Sequence, residues 1–201
     1  MNKEGIIFTI LFTFIVSFIF VAILALTNEF TRGKVERNQD LDKRRAVLGA
    51  FGVETTGTDE DYNLYDTRIT ERSENGSRLF EARSDGTLLE GIQFSGPGLW
   101  GTITGVIALN PQSERIVGLN IISHNETPGL GGRIAESWFK EQFRGEKLQD
   151  GGIQVFGTGE GDSDKDNGRV DAISGASRTS DAMEQILNEF LRILRSLSGA
   201  K

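Results

Sequence analysis

From Gly5 to Leu26 the chain is an unbroken run of apolar residues, interrupted only by the hydroxyls of Thr9, Thr13 and Ser17. At about 22 residues the run can cross a bilayer as a helix, and it exceeds the roughly 7–15 residues of a signal-peptide core. Ala22 and Ala25 make only a weak cleavage site. We therefore expect a retained transmembrane helix, in which isolated Ser and Thr bond back to their own backbone. Whatever folds in water must come from the remaining residues. Only Lys3 precedes the span, whereas Arg32, Lys34, Arg37, Lys43, Arg44 and Arg45 follow it. Taken alone, that bias keeps the following domain in the cytoplasm.

Beyond the span, Thr27 to Gly52 reads as a polar helix with a sparse apolar side of Val35, Leu41, Val47, Leu48 and Phe51. Val53 to Asn63 is acidic, rich in Gly and Thr, and aperiodic, so a loop is expected. From Leu64 the pattern turns to strands: Leu64–Ile69, Arg78–Arg83, Leu88–Phe94, Gly101–Leu109 and Ile116–His124. Asn75-Gly76, Asp85-Gly86 and Asn110-Pro111 mark turns among them. Helices are expected at Gly132–Phe143 and Asp181–Leu197. In the second, Ala182, Met183, Ile186, Leu187, Phe190, Leu191, Leu194 and Leu197 recur at helical spacing, with Asp181 and Glu184 near its start and Arg192 and Arg195 near its end. The fold class is α+β, an antiparallel sheet packed with helices on one N-terminal transmembrane helix.

Several function classes fall away. With no cysteine, disulfides, thiolate metal sites and Cys-ligated iron–sulfur clusters are excluded, and a net charge of −7 argues against a nucleic-acid partner. His124 is the single histidine; Ser177 lies in no nucleophile elbow and no orienting acid is identifiable, so no catalytic residue is assigned. Asp162, Asp164 and Asp166 mimic half of a calcium loop, but Asn167 and Ile173 stand where that loop needs Gly and Glu. Gly157 to Gly168 reads better as an acidic hairpin tip, and no metal ligand is assigned.

Asp171-Ala172-Ile173-Ser174-Gly175-Ala176-Ser177-Arg178-Thr179-Ser180 runs from a β-prone segment into the last helix. Free backbone N–H groups at a helix N-terminus favour an anion, and Ser and Thr are also preferred caps. The residues alone leave phosphate binding and plain capping both open. A second Gly-rich entry to a helix is His124-Asn125-Glu126-Thr127-Pro128-Gly129-Leu130-Gly131-Gly132. A third turn, Ser95-Gly96-Pro97-Gly98-Leu99-Trp100-Gly101, places Trp100 either in the core or as a flat wall for an aromatic ring.

Ser-Gly-Ala-Ser-Arg-Thr-Ser resembles the flavinylation motif of the covalent-FMN domain family. That family includes the FMN-bearing subunits of two ion pumps, the sodium-pumping NADH:quinone oxidoreductase and the ion-translocating ferredoxin:NAD oxidoreductase (the Rnf complex). Asp171, Ser174, Gly175, Ala176 and Thr179 match; the acceptor position holds Ser177 where the family has Thr, and a serine hydroxyl forms the same ester. Glu126 to Gly131 matches the family's Glu-Thr-Pro-Gly-Leu-Gly loop. The resemblance implies FMN bound covalently through its phosphate to Ser177, with Ser174, Gly175, Ala176, Thr179 and Ser180 around the phosphate. Glu126, Thr127, Gly129, Leu130, Gly131, Leu99 and Trp100 would lie against the flavin ring. It implies an anchor over 1–27, a connecting helix and loop over 28–63 and an FMN-binding domain over 64–201. It further implies a single-pass protein of the inner membrane with its domain on the outer, periplasmic face. There it would be an electron carrier in a multi-subunit translocase, beside a second flavin or iron–sulfur subunit and matured by a flavin transferase. Long domains translocate despite flanking charge, which accommodates that orientation. The alternatives are an assembly subunit without flavin and a stand-alone membrane-anchored flavin reductase. Gly-Leu-Trp leans to the quinone-reductase branch and His124 to the other.

Overall fold

The computed structural model describes residues 3–157 and 162–198. Helix α1 is continuous from Lys3 to Ala50, and it is the one helix among the described residues long and apolar enough to cross a membrane. The chain divides into two compact units, Met1–Asp40 and Leu41–Lys201. In the first, the side chains of Ile7, Phe8, Ile10, Phe14, Phe18 and Leu24 stand exposed along the helix. That pattern fits a membrane anchor.

The second unit is built on a five-stranded antiparallel sheet in sequence order: β1 (Thr70–Glu74), β2 (Ser77–Ser84), β3 (Thr87–Pro97), β4 (Thr102–Asn110) and β5 (Arg115–Ser123). The two Xaa-Gly turns form as their sequences require. Asn75 and Gly76 have φ of 51° and 80°, and Asp85 and Gly86 have 49° and 82°. These positive angles match the twist of two-residue hairpins. Alternation then sends side chains to both faces. Leu79, Ile92, Phe94, Ile103, Ile107 and Ile116 form one core with α3 (Ser137–Phe143) and α4 (Ser177–Ser198). Phe80, Leu89, Val106 and Ala108 form the other with Val47, Leu48, Ala50 and Phe51 at the end of α1, and with Tyr65 of α2 (Glu60–Arg68). The globular unit thus takes in residues ahead of 64. On α4 the expected face is buried at Met183, Ile186, Leu187, Leu191, Leu194 and Leu197, while Ala182 and Phe190 are half-buried.

Four elements differ from expectation. Leu64–Ile69 is not a strand but the end of α2, and the expected loop over 53–63 contains its start. Asp61 reaches back to the N–H groups of Thr56 and Gly57, and Glu60 and Asp61 in the first turn suit the helix dipole. A short apolar run could not report those bonds. Strand β1, Thr-Glu-Arg-Ser-Glu, has no apolar alternation because it is an edge strand whose pairing with β2 alone defines it. The helix expected over 132–143 breaks into a 3-10 turn, Gly131–Ala135, and α3, because Glu136 is extended at φ −71°, ψ 148°. Finally, β6 (Gln154–Val155) and β7 (Arg169–Val170) pair parallel. The chain between them is therefore a crossover and not a hairpin, as parallel pairing demands. Residues 158–161 of that stretch lie outside the described residues.

In the rest of the crossover, Asp162 accepts Asp164 N–H and Asp164 accepts Asp166 N–H, while Asp166 pairs with Arg115. The Asn167 side-chain bond, followed by the Asp164 N–H, holds the Asp162 carboxyl below the usual range. Gly168 N–H is received by the fully buried Glu146 at 2.8 Å. Burial raises the Glu146 carboxyl against the opposing pull of that N–H and of Lys165. No cluster of three or more His, Asp or Glu suited to a metal occurs among the described residues.

Candidate functional site

The turn before α4 is closed by Ala176 N–H donating to the Ile173 carbonyl at 3.0 Å. Gly175 holds φ at +77°, and a Cβ there would stand 3.4 Å from Leu130 Cδ2. A side chain at this position would strain the left-handed backbone. The helix begins at Ser177, four residues earlier than expected; Ser180 N–H already donates to the Ala176 carbonyl at 3.0 Å. Asp181 and Glu184 therefore sit beyond the first turn, which contains no acidic residue.

The hydroxyls of this turn divide sharply. Ser174 and Ser177 are exposed, whereas Thr179 and Ser180 are each 1% exposed. Ser180 Oγ accepts Ile173 N–H at 3.0 Å and donates to the Ala176 carbonyl at 3.1 Å. Thr179 Oγ1 donates to Glu126 Oε2 at 2.6 Å. Each hydroxyl has one hydrogen, and both are used inside the protein, so these two residues brace the turn from within. Ala176 is buried beside them.

The Glu126 loop packs directly against this turn. Thr127 C=O accepts Leu130 N–H at 3.2 Å and Gly132 N–H at 2.9 Å, and Gly129 takes φ +73°. Thr127, Gly129 and Leu130 face outward, whereas Gly131 is buried. Glu126 is 4% exposed, and its Oε1 accepts Trp100 N–H at 3.0 Å. The Trp100 turn is closed by Gly98 N–H donating to the Gly101 carbonyl at 2.7 Å. Its side chains are not in the core: Leu99 is 38% and Trp100 69% exposed. A groove of about 340 Å³ runs between Pro97, Gly98 and Leu99 on one side and Arg178, Asp181 and Gln185 on the other. A larger cleft of about 680 Å³, between 149–154 and the later turns of α4, holds none of the candidate residues.

All three Gly-rich segments therefore meet at the N-terminus of α4. They bring together two exposed serines, Ser174 and Ser177, the N-terminal N–H groups of a 22-residue helix, and three exposed apolar side chains: Leu99, Trp100 and Leu130. Two contributors had no local signature. Gln142 on α3 binds the backbone of Asp171 on both sides, Oε1 to its N–H at 2.8 Å and Nε2 to its carbonyl at 3.3 Å. His124 Nδ1 accepts Glu126 N–H at 3.2 Å. His124 is thus part of the loop and not a base for Ser177.

Residues 98–192 match the FMN-binding domain family. The chain is 43% identical over 95 residues to the NqrC protein of the Na(+)-translocating NADH-quinone reductase of Neisseria meningitidis serogroup A, an alignment covering 46% of this chain and 36% of that relative. To the corresponding protein of Pseudomonas aeruginosa it is 26% identical, over 88% of this chain and 87% of the relative. Among solved structures, the NqrC protein of the same reductase from Parabacteroides distasonis superposes with a TM-score of 0.66 at 25% identity, covering 79% of this chain and 92% of that one. NqrC of Shewanella oneidensis has the same fold, with a TM-score of 0.64 at 22% identity, covering 74% of this chain and 92% of that one.

Proposed function

We propose that this chain is the electron-carrying subunit of an ion-translocating membrane oxidoreductase, holding one FMN esterified through its phosphate to Ser177. The observation that carries this reading is the sorting of hydroxyls at α4. Thr179 and Ser180 are buried and bonded, and Ser177 stands exposed as the first helical residue with no acid in that turn. The residues present fit such a group. The unpaired N–H groups and positive end of α4 stabilise a phosphate. Gly175 and Ala176 keep its approach clear, and Leu99, Trp100 and Leu130 offer apolar surface to a flat ring. Glu126, Thr127, Gly129 and Gly131 form the frame that holds Leu130 there.

When bound, the flavin supplies a carrier able to pass electrons one at a time; the protein binds it, orients it and tunes its potential. Attachment needs an activated flavin phosphate. Ser177 Oγ would hold the phosphate through an ester formed as a phosphoanhydride bond of the donor breaks, the remainder of the donor leaving as a phosphate monoester and the serine proton passing to a base of the attaching transferase. A covalent bond suits a carrier facing bulk water, from which a free cofactor would diffuse. We place the domain on the outer face of the cell membrane, with electron partners among the other subunits of the complex.

The test is intact-mass spectrometry and in-gel flavin fluorescence of the denatured full chain, co-expressed with a flavin transferase. The native chain and Ser177→Thr should gain one FMN phosphoester, and Ser177→Ala none. Full labelling of Ser177→Ala would move the acceptor elsewhere. Failure to label both the native chain and Ser177→Thr would favour an assembly subunit without flavin.

A further inference from the structure

We infer that Glu126 is a positioning residue whose buried carboxylate clasps the Trp100 turn to the first turn of α4, fixing the spacing between the aromatic wall and the acceptor serine. The inference rests on the flavin reading for its purpose, and on geometry alone for the clasp.

Each oxygen of the carboxylate serves a different segment. Oε1 receives Trp100 N–H at 3.0 Å, 26 residues back in the chain, and Oε2 receives Thr179 Oγ1 at 2.6 Å, 53 residues ahead. The backbone of Glu126 is itself tied, its N–H donating to His124 Nδ1 at 3.2 Å. Burial of a carboxylate is costly unless it is hydrogen-bonded, and bonds to a charged acceptor are about twice as strong as neutral ones. Among the described residues Glu126 has no Lys or Arg within ion-pair distance. The Trp100 amide and the Thr179 hydroxyl are therefore its compensation.

The surrounding backbone is shaped to admit this side chain. A Cβ on Gly98 would lie 2.5 Å from Glu126 Oε1, and one on Gly131 would lie 2.5 Å from Thr179 Oγ1 and 2.7 Å from Glu126 Oε2. Real Cβ atoms do not approach that closely, so two of the bare positions in the two Gly-rich loops are walls of the carboxylate's pocket. The clasp also separates two jobs within one residue. The Trp100 backbone is held while its ring stays 69% exposed, leaving the ring to meet a ligand from a fixed base. Thr179 likewise takes its bond inward, two residues after Ser177 in the same helical turn. Glu126 thus acts through Trp100 and Thr179, not as a group facing the flavin edge.

The decisive experiment is amide hydrogen exchange at Trp100 in the full chain without flavin. Glu126→Ala should speed exchange of that amide by at least about tenfold, since it loses its acceptor. Thr179→Val keeps the shape but removes the hydroxyl on α4, and it should also speed exchange at Trp100. Glu126→Gln should restore most of the protection, because its amide can accept from Trp100 and donate to Thr179. Unchanged Trp100 exchange in Thr179→Val would overturn the clasp, and it decides the matter even if Glu126→Ala fails to fold. In flavin-labelled protein, Thr179→Val should lower flavin fluorescence anisotropy. Absence of label in the native chain would sink the flavin reading while leaving the exchange result to judge the clasp.

Discussion

Helices α2 and α4 follow turns of similar composition, yet the turn before α2 is closed on a carboxylate of the chain while α4 has no acid in its first turn and stays open there. Before α2 come Thr56-Gly57-Thr58; before α4 come Ser174-Gly175-Ala176. At α2 the fully buried Asp61 turns back and receives Thr56 N–H at 2.8 Å, Gly57 N–H at 3.1 Å and the Thr56 hydroxyl at 3.0 Å, with Arg45 Nε at 2.7 Å. Burial alone would raise this carboxyl, but the bonds from Arg45 and Thr56 outweigh it and hold the pKa below the ordinary value. At α4 the inward hydroxyls are satisfied, no acid occupies the first turn, and Ser177 faces out. Small residues and hydroxyls at a helix start therefore say only that an anion or a cap is wanted. A carboxylate of the chain closes the turn at α2, and none does so at α4.

The largest effect should come from loosening the platform under the open end. Leu187 is fully buried on α4, so Leu187→Ala should cost about 2–5 kcal/mol by chemical denaturation, while leaving the α2 turn intact by hydrogen exchange. Next, Ser180→Ala removes both bonds that staple the α4 turn. It should cost about 1–3 kcal/mol and slow labelling of Ser177. Unchanged stability and labelling would mean that the turn does not depend on its buried hydroxyl.

Acid should distinguish the two ends. Asp61 has a folded pKa below that of the unfolded chain, so its contribution is complete above the ordinary carboxylate value. It is lost as pH falls below about 4, through the folded pKa. Asp61→Asn should flatten that part of the pH–stability profile, and an unaltered profile would contradict the closed end. The smallest effect is expected from making α4 resemble α2. Ser177→Glu puts a carboxylate at the positive end of the helix and should stabilise by about 0.3–1 kcal/mol in thermal melts, with covalent labelling gone.

Much of the sheet could be read directly. Asn75-Gly76 and Asp85-Gly86 announce hairpins because few other pairs tolerate positive φ twice running, and β2 to β5 follow with ends shifted by a few residues. The strand β1 and the helix α2 could not be read. The first is a polar edge defined by its partner, and the second follows a loop held by Asp61, five residues from Thr56. Of the site, the three Gly-rich segments were visible one by one. That Thr179 and Ser180 turn inward while Ser177 turns outward was not, because hydroxyls on one short turn look equivalent until the helix start is fixed at 177.

By itself, then, the sequence determined the apolar helix, the antiparallel hairpins and the buried stripe of α4. Each of these follows from local periodicity or from backbone angles that particular residues allow. Only the tertiary structure decided that the Trp100 turn, the Glu126 loop and the start of α4 form one place. The reason is that the bonds uniting them span 26 and 53 residues, and a carboxylate seeks such distant donors only when folding has taken it out of water.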